Sequence, residues 1–146
     1  MPDKIDILYW ENLVVPSRFL TQHKKISGQD IKKFAATFDP QPYHLDRDAA
    51  KASLFGGLCA SGWHICAIMM RLLSDTMERA NIQFLGNDEI PKLKWLFPVF
   101  EDDQVHAEIT FTKKSPLPIP PISAQLKRMF RSKTKMIKWS WPSPQP

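Results

Sequence analysis

The segment that most constrains the fold is a long apolar stretch near the middle of the chain. Its large side chains recur at the spacing of one helix face, at Ile65, Ile68, Met69, Leu72 and Leu73. Over the first half, other apolar side chains fill much of the remaining circumference, namely Cys66, Ala67 and Met70. We therefore predict a helix that begins at Gly62 or Trp63, is capped by Ser61 and is buried at the centre of a domain. From Ser74 to about Arg79 the pattern turns polar, so this end should emerge toward solvent.

Caps and prolines organise the chain that precedes this helix. Ser27 followed by Asp30 resembles a capping box and predicts a helix that runs to about Phe38. Asp46 is placed to cap a shorter helix over residues 47 to about 54. Two prolines in the hexapeptide between these helices remove amide donors and favour extended backbone, so we expect no helix there.

Alternating patterns predict strands on both sides of the helical segments. The candidates are Phe19 to Ile26, Lys92 to Phe97 and Val105 to Thr112. Glu101 to Asp103 reads as a turn, which would join the last two strands in a hairpin with one buried face. Long helices with antiparallel strands indicate an α+β fold, and a hairpin needs further strands to be stable.

Length and residue usage narrow the class of protein. A chain of 146 residues with 43% hydrophobic content suits one domain with its own core. Cys59 and Cys66 are too few for a disulfide scaffold, and no secretory signal is evident, so we expect reduced thiols and a cytoplasmic location. No apolar run approaches the roughly 20 residues that cross a bilayer. No metal-ligand spacing and no phosphate-binding glycine loop is present, so we expect no metal and no cofactor.

The chain changes character near residue 115. From Lys113 onward it has eight basic residues, no acidic ones and seven of its thirteen prolines, while the preceding 112 residues are net acidic. We therefore divide the chain into a domain over residues 1–114 and a Pro-rich basic tail over residues 115–146. The tail is either a basic arm for nucleic acid or an anionic membrane surface, or a solvated disordered segment.

The hexapeptide Asp-Pro-Gln-Pro-Tyr-His at residues 39–44 carries the chemistry. With the downstream segment AAKASLFGGLCASGWHICAIMMRLL it resembles the MaoC-like and (R)-specific enoyl-CoA hydratase family, over residues 7 to 114. That family's motif is Asp, any residue, Asn, Pro, an apolar residue and His. The resemblance implies a hot-dog fold, in which an antiparallel sheet wraps around a long central helix. Without the resemblance, Asp39 would be interpreted as a loop residue that terminates a helix, and His44 as a turn histidine.

The resemblance also implies an activity and its residues. The catalytic acid/base pair falls on Asp39 and His44, and the backbone amide that polarises the thioester carbonyl falls on Gly62. Gln41 stands where the family has Asn, and together with Pro42 it is expected to order the loop. The implied reaction adds water to a trans-2-enoyl-CoA or a similar thioester, in a homodimer and without metal or redox cofactor. The other histidines are expected to be structural or exposed, namely His23, His64 and His106.

The tail does not fit this family, which has its last two strands there. We hypothesise that the coding frame changes near residues 115 to 128, because permitted codons for residues 128 to 142, read one nucleotide later, give NVQVKNQNDKVVMAI. That sequence reads as strand, polar turn and strand. If the tail is genuine, part of the central helix should stay uncovered and stability and activity should be reduced.

Three functions remain open from the sequence. The leading one is the acyl-thioester hydratase/dehydratase. The second is a non-catalytic hot-dog protein, either a degraded gene product or an acyl-thioester-binding module. The third, a basic-tailed nucleic-acid or membrane binder, is disfavoured, and we expect no nucleic acid and no membrane among the partners.

Overall fold

The computed structural model describes residues 8, 9, 12–82, 90 and 92–112. Its elements in chain order are β1 (Ser17–Leu20), β2 (Lys24–Lys25), α1 (Gly28–Phe38), α2 (Pro42–Leu45), α3 (Arg47–Ala52), α4 (Gly62–Arg79), β3 (Gln104–Val105) and β4 (Glu108–Phe111). The chain divides into two compact units. Among the described residues, the site unit comprises residues 22–72 and 94–106, and the strand unit comprises residues 8, 9, 12–21, 73–82, 90, 92, 93 and 107–112. Helix α4 contributes residues to both.

The predicted caps of the site unit are confirmed. The Ser27 hydroxyl accepts from the Asp30 amide at 3.0 Å, which starts α1, and the helix buries Ile31 and Ala35 fully. The Asp46 carboxylate accepts from the amides at the start of α3 at 2.8 and 3.0 Å. Short polar side chains therefore set where these helices begin.

One prediction in this unit is wrong. The segment with two prolines contains the short helix α2, with Pro42 at its first position. A first-turn amide has no acceptor inside its helix, so proline costs no hydrogen bond there, and its fixed φ suits the helical backbone. Gln41, which precedes Pro42, keeps the extended geometry that a following proline favours.

The predicted hairpin is also wrong. Lys92 to Phe97 forms no strand, although Glu101 to Asp103 does form a turn, with Asp102 at a φ of 71°. In the site unit β3 instead pairs antiparallel with β2, with Lys24 opposite Val105. The partner of β3 is therefore a strand near the start of the chain, because two segments that are close in sequence need not pair with each other.

The strand unit is held by an antiparallel pair and an apolar cluster. β1 pairs with β4, with Phe19 opposite Ile109, and the Arg18 guanidinium donates to Glu108 at 2.7 Å across the pair. The cluster of buried side chains comprises Leu13, Leu73, Met77, Ile109 and Phe111. Phe19 packs against Phe111 edge to face, with ring centroids 5.8 Å apart.

Helix α4 has the predicted bounds, but its burial differs from the prediction at both ends. Within the site unit, Trp63, Ala67 and Met70 form an exposed apolar stripe, with Trp63 61% exposed. Within the strand unit, the expected solvated end buries Thr76 and Met77. Periodicity identified the helix, but which apolar faces are covered depends on the neighbouring elements.

No helix among the described residues is long and apolar enough to cross a membrane. The tail, the change of frame and the family's last strands all fall on residues 113–146, which lie outside the described residues.

Candidate active site

Asp39 occupies the position where α1 ends. Its amide donates to the Ala35 carbonyl at 2.9 Å, and its φ of −151° takes the chain out of the helix. The carboxylate is partly accessible, with 27% of the side chain exposed. Asp39 therefore terminates a helix, and it also presents an acceptor that solvent or a substrate can reach.

His44 lies on α2 and faces Asp39. Its side chain is only 8% exposed, and its Nε2 is 3.6 Å from the Asp39 Oδ2. Its Nδ1 lies 2.7 Å from the Cys59 carbonyl oxygen. A carbonyl can only accept, so Nδ1 carries a proton that it donates, and Nε2 is left to gain or lose a proton. The structure thus brings the predicted pair together and orients the imidazole.

Ser61 connects this pair to the start of α4. Its hydroxyl donates to the Asp39 Oδ2 at 2.6 Å and accepts from the Trp63 amide at 3.3 Å. Ser61 is 1% exposed, so its hydroxyl is buried, whereas the Asp39 carboxylate that accepts from it is partly accessible. The sequence pattern indicated only a capping role for Ser61. Its position directly before Gly62 was the feature of the sequence that could have indicated a place for Ser61 in the site.

Gly62 begins α4 directly after Ser61. Amides in the first turn of a helix have no acceptor inside it, and the positive end of the helix dipole lies there. A Cβ on Gly62 would lie 2.6 Å from the Trp95 Nε1, too close for any real contact. A larger residue here would require the Trp95 indole, which lies against this backbone, to move.

Gln41 and Pro42 shape the loop through the backbone. The Gln41 amide donates to the Asp39 carbonyl at 2.8 Å, and its carbonyl accepts from the His44 amide at 3.0 Å. The Gln41 side chain makes no capping hydrogen bond to α2. The two backbone bonds bind both ends of the loop to its middle residue, which restricts the separation of the acid and the imidazole.

An ion pair supports the helices around this loop. The Arg47 guanidinium, at the start of α3, donates twice to the Glu101 carboxylate, once at 2.9 Å. This pairing lowers the pKa of Glu101 and raises that of Arg47. A Cβ on Gly28 would overlap the Glu101 carboxylate as it lies here, so a larger residue at the start of α1 would require the Glu101 side chain to move. The pair thus joins the beginnings of the two helices that flank the loop.

The remaining histidines are not part of the pair. His64 is buried on α4, its ring stacks on Phe34 at 4.7 Å, and its Nδ1 has no hydrogen-bond partner among the described residues. Burial lowers the pKa of His64, and Asp30 partly opposes this. His23 and His106 lie against each other, with ring centroids 4.6 Å apart. The sequence did not predict that contact.

The chemical capacity of the site follows from its groups. Burial raises the pKa of Cys59 beside the imidazole, which disfavours the thiolate that a nucleophile would need. Over residues 8–9, 12–82, 90 and 92–112, no three His, Cys, Asp or Glu side chains are grouped to hold a metal ion. What the site offers is a carboxylate and an imidazole that can bind one water molecule beside a helix N-terminus.

Comparison with known proteins bears on this arrangement. A family model described as MaoC like domain matches residues 15–117. The protein YdeM of Bacillus subtilis (strain 168) is 32% identical over 103 residues, which are 67% of this chain and 69% of that protein.

Solved structures show the same similarity. The MaoC-like dehydratase from Rhodospirillum rubrum has 38% identity and a TM-score of 0.63, over 78% of this chain and 77% of that one. The (R)-hydratase of A. caviae involved in PHA biosynthesis has 25% identity and a TM-score of 0.57, over 72% of this chain and 76% of that one. The predicted α+β hot-dog fold is thereby confirmed.

Proposed function

The chain belongs to the MaoC-like domain family, and from that premise we propose that it hydrates a trans-2-enoyl thioester through Asp39 and His44. The observation that carries the proposal is the 3.6 Å separation between the His44 Nε2 and the Asp39 Oδ2. A relative with 25% identity is an (R)-hydratase, which supports the same reaction class.

The proposed reaction moves two protons. The oxygen of a water molecule bonds to the β-carbon as the water loses a proton to one member of the pair, and the other member gives a proton to the α-carbon. We assign proton removal to Asp39, because the Ser61 hydroxyl donates to it and so suits a carboxylate that is ionised at the start. Proton delivery falls to the His44 Nε2, since Nδ1 is held by the Cys59 carbonyl. Each positioned step contributes roughly 10²- to 10⁴-fold.

The thioester oxygen gains negative charge as water adds. We propose that the Gly62 amide binds this oxygen, because the amide lies at the N-terminus of α4 and follows the residue that bonds Asp39. Preorganised donors of this kind contribute about 3–4 kcal/mol to the transition state. No cofactor takes part in the proposed steps.

Hydration of crotonyl-CoA tests the proposal, measured as loss of the enoyl absorbance. Wild-type chain should turn over, and Asp39→Asn should lose about 10³-fold or more in kcat/KM. Asp48→Asn is the matched control, because Asp48 is an exposed carboxylate on α3. Equal activity of the two variants would refute the assignment. Wild-type chain that binds CoA without hydrating crotonyl-CoA would favour the acyl-thioester-binding module.

We also propose that the chain is a homodimer. Trp95, Leu96 and Phe97 are each at least half exposed, and contiguous apolar surface of this kind is typical of an interface. Light scattering on Leu96→Ser and wild-type chain tests this, with a smaller mass expected for the variant at the same concentration.

The domain boundary near residue 114 remains a proposal, and so does the change of coding frame that would explain it. The exposed stripe of Trp63, Ala67 and Met70 on α4 supports them, because strands missing from the sheet would leave such a face uncovered. Sequencing the gene through the codons for residues 110 to 146 decides the matter, and a homologous gene that encodes this tail without interruption would refute the hypothesis.

A further inference from the structure

The orientation of His44 depends on one backbone carbonyl, that of Cys59. The His44 Nδ1 donates to this carbonyl at 2.7 Å, and the Cys59 Sγ lies 3.7 Å from the same nitrogen. Cys59 lies in the segment of residues 58–60, which precedes α4 and belongs to no helix. The position of the imidazole therefore depends on the contacts that hold this segment in place.

Residues 99–101 hold this segment through an antiparallel bridge, in which Cys59 lies opposite Phe100. The hydrogen bonds of the bridge belong to the neighbours of these two residues and run from the Ala60 amide to the Val99 carbonyl at 2.7 Å and from the Glu101 amide to the Leu58 carbonyl at 3.0 Å. In this kind of antiparallel pair the two opposed residues form no hydrogen bond with each other. The Cys59 carbonyl is therefore left to accept from His44, and its position follows that of residues 99–101.

An ion pair connects residues 99–101 to the helices that carry His44. The Glu101 carboxylate accepts twice from the Arg47 guanidinium, once at 2.9 Å. Arg47 is the first residue of α3, and the amide of the residue before it donates to the first residue of α2 at 2.9 Å. His44 lies on α2, so the ion pair joins the helices that carry the imidazole to the segment that holds its acceptor in place.

The exposure of this ion pair points to a role other than stability. The Arg47 and Glu101 side chains are 59% and 28% exposed, and pairs with such access to water contribute little to folding. Two hydrogen bonds between a guanidinium and a carboxylate nevertheless fix a distance and an angle together. The Arg47–Glu101 pair is thus suited to restrict a small movement of α2 and α3 against residues 99–101.

We propose that Arg47 and Glu101 are positioning residues, whose ion pair keeps the Cys59 carbonyl against the His44 Nδ1 and so directs Nε2 toward the substrate. The orientation of the imidazole is independent of any activity, whereas the consequence for turnover rests on the proposed function. Because the two side chains act through the backbone and not on the substrate, loss of the pair should lower kcat and leave KM unchanged.

Solvent exchange of the His44 Nδ1 proton tests the orientation directly. Labelling of the imidazoles with ¹⁵N makes this proton visible by NMR, and its signal is the one that is absent from His44→Gln. Glu101→Gln keeps the shape of the side chain and removes its charge. It should accelerate the exchange about three- to tenfold, a size typical of coupling within one hydrogen-bonded network. Exchange at the wild-type rate would overturn the proposal.

A matched control lies in the strand unit. Arg18 donates to Glu108 at 2.7 Å, and these side chains are 61% and 19% exposed, close to the values of the Arg47–Glu101 pair. Glu108→Gln removes the same charge from a pair of similar exposure, so it should leave the exchange of the His44 proton as in wild type. Equal acceleration in Glu101→Gln and Glu108→Gln would indicate a general loosening of the chain and would contradict a positioning role.

A double-mutant cycle tests whether the two residues act as one pair. Arg47→Gln should accelerate the exchange as much as Glu101→Gln does, and the double variant should accelerate it no further. Additive effects of the two substitutions would show that the side chains act separately, and the proposal would then be wrong.

Hydration of crotonyl-CoA separates failure of this inference from failure of the proposed function. Glu101→Gln should lower kcat about three- to tenfold, with an unchanged KM. If the wild-type chain does not hydrate crotonyl-CoA but the exchange rates change as expected, the positioning role stands and the proposed function fails. If the wild-type chain hydrates crotonyl-CoA and Glu101→Gln has wild-type exchange and wild-type kcat, the function stands and the positioning role fails.

Discussion

The site unit and the strand unit are built by different means. In the site unit, Asp39, His44 and Ser61 form a connected set of polar groups that local devices position: a helix end, a proline at a first helical position and a cap. In the strand unit, apolar side chains distant in the sequence pack in one cluster, which includes Leu13 and Phe111. In the site unit, local features set the ends of the helices, and two hydrogen bonds between distant residues, Ser61 to Asp39 and His44 to Cys59, then join the polar groups. In the strand unit, much of the stability comes from long-range apolar packing.

The two units also differ in how their buried groups contribute to the free energy of unfolding. Buried polar groups are costly unless they are hydrogen-bonded, and His44 and Ser61 are both satisfied. Burying an apolar side chain contributes about 1.5–3 kcal/mol without any such condition. Substitutions in the two units should therefore change different measurements: activity for the polar set, and the free energy of unfolding for the apolar cluster.

The largest effect is expected for His44→Gln. Glutamine can still donate to the Cys59 carbonyl but cannot exchange a proton at the position of Nε2, so kcat/KM should fall about 10²- to 10⁴-fold. The melting temperature should change little. His23→Gln is the control, because His23 is exposed. Loss of folding together with loss of activity would break the comparison, since it would make the pair part of the stabilising core.

Leu73→Ala should produce the largest change in stability. Leu73 is 1% exposed in the apolar cluster, and a large-to-small change there costs about 2–5 kcal/mol, measured by denaturant unfolding. Leu54→Ala, at a side chain that is 91% exposed, should change stability by at most about 0.5 kcal/mol. The fraction of Leu73→Ala that remains folded should keep wild-type kcat. A lower kcat per folded molecule would show that the two units are not separable.

Ser61→Ala should affect both measurements and so sharpen the comparison. Loss of the cap should cost about 0.5–2 kcal/mol, and loss of the donor to Asp39 should lower kcat about tenfold. A double-mutant cycle separates the two, because in an Asp39→Asn background Ser61→Ala should still lower stability but no longer lower kcat. A full further loss of kcat in that background would show that Ser61 acts independently of Asp39.

The smallest effect concerns His64 and pH. Its pKa is lowered below 6.5 by burial, so the unfolded chain binds the proton more tightly than the folded one. Its contribution to stability is therefore complete above pH 6.5 and is lost as the pH falls through the lower, folded-state value. His64→Leu should reduce the loss of melting temperature between pH 7.5 and 5.0. An unchanged pH dependence would show that His64 is not the group that titrates.

Predictions from the sequence succeeded where one residue fixes a local geometry. Ser27 and Asp46 cap helices as predicted, because a short side-chain oxygen can meet the free amides of the next turn whatever surrounds it. The spacing of the motif also brought Asp39 and His44 together. The helix at Pro42 was not predicted, because proline disrupts the interior of a helix. Proline is nevertheless accepted at the first position of a helix, where Pro42 lies.

Predictions failed where distant segments decide the outcome. The strand at Lys92 to Phe97 had a suitable pattern, yet β3 and β4 pair with segments from the start of the chain. The link from Ser61 to Asp39 was also invisible, since it joins residues from two separate helices.

The sequence by itself determined the family, the helix bounds at Gly62 and Arg79, and the short-range spacing of the acid and the imidazole, because each depends on residues within a few turns of one another. Only the tertiary structure decided which strands pair and that a buried hydroxyl joins the Asp39 carboxylate to the start of α4. These features depend on which distant segments come into contact, and no local sequence pattern determines the free energy of those contacts.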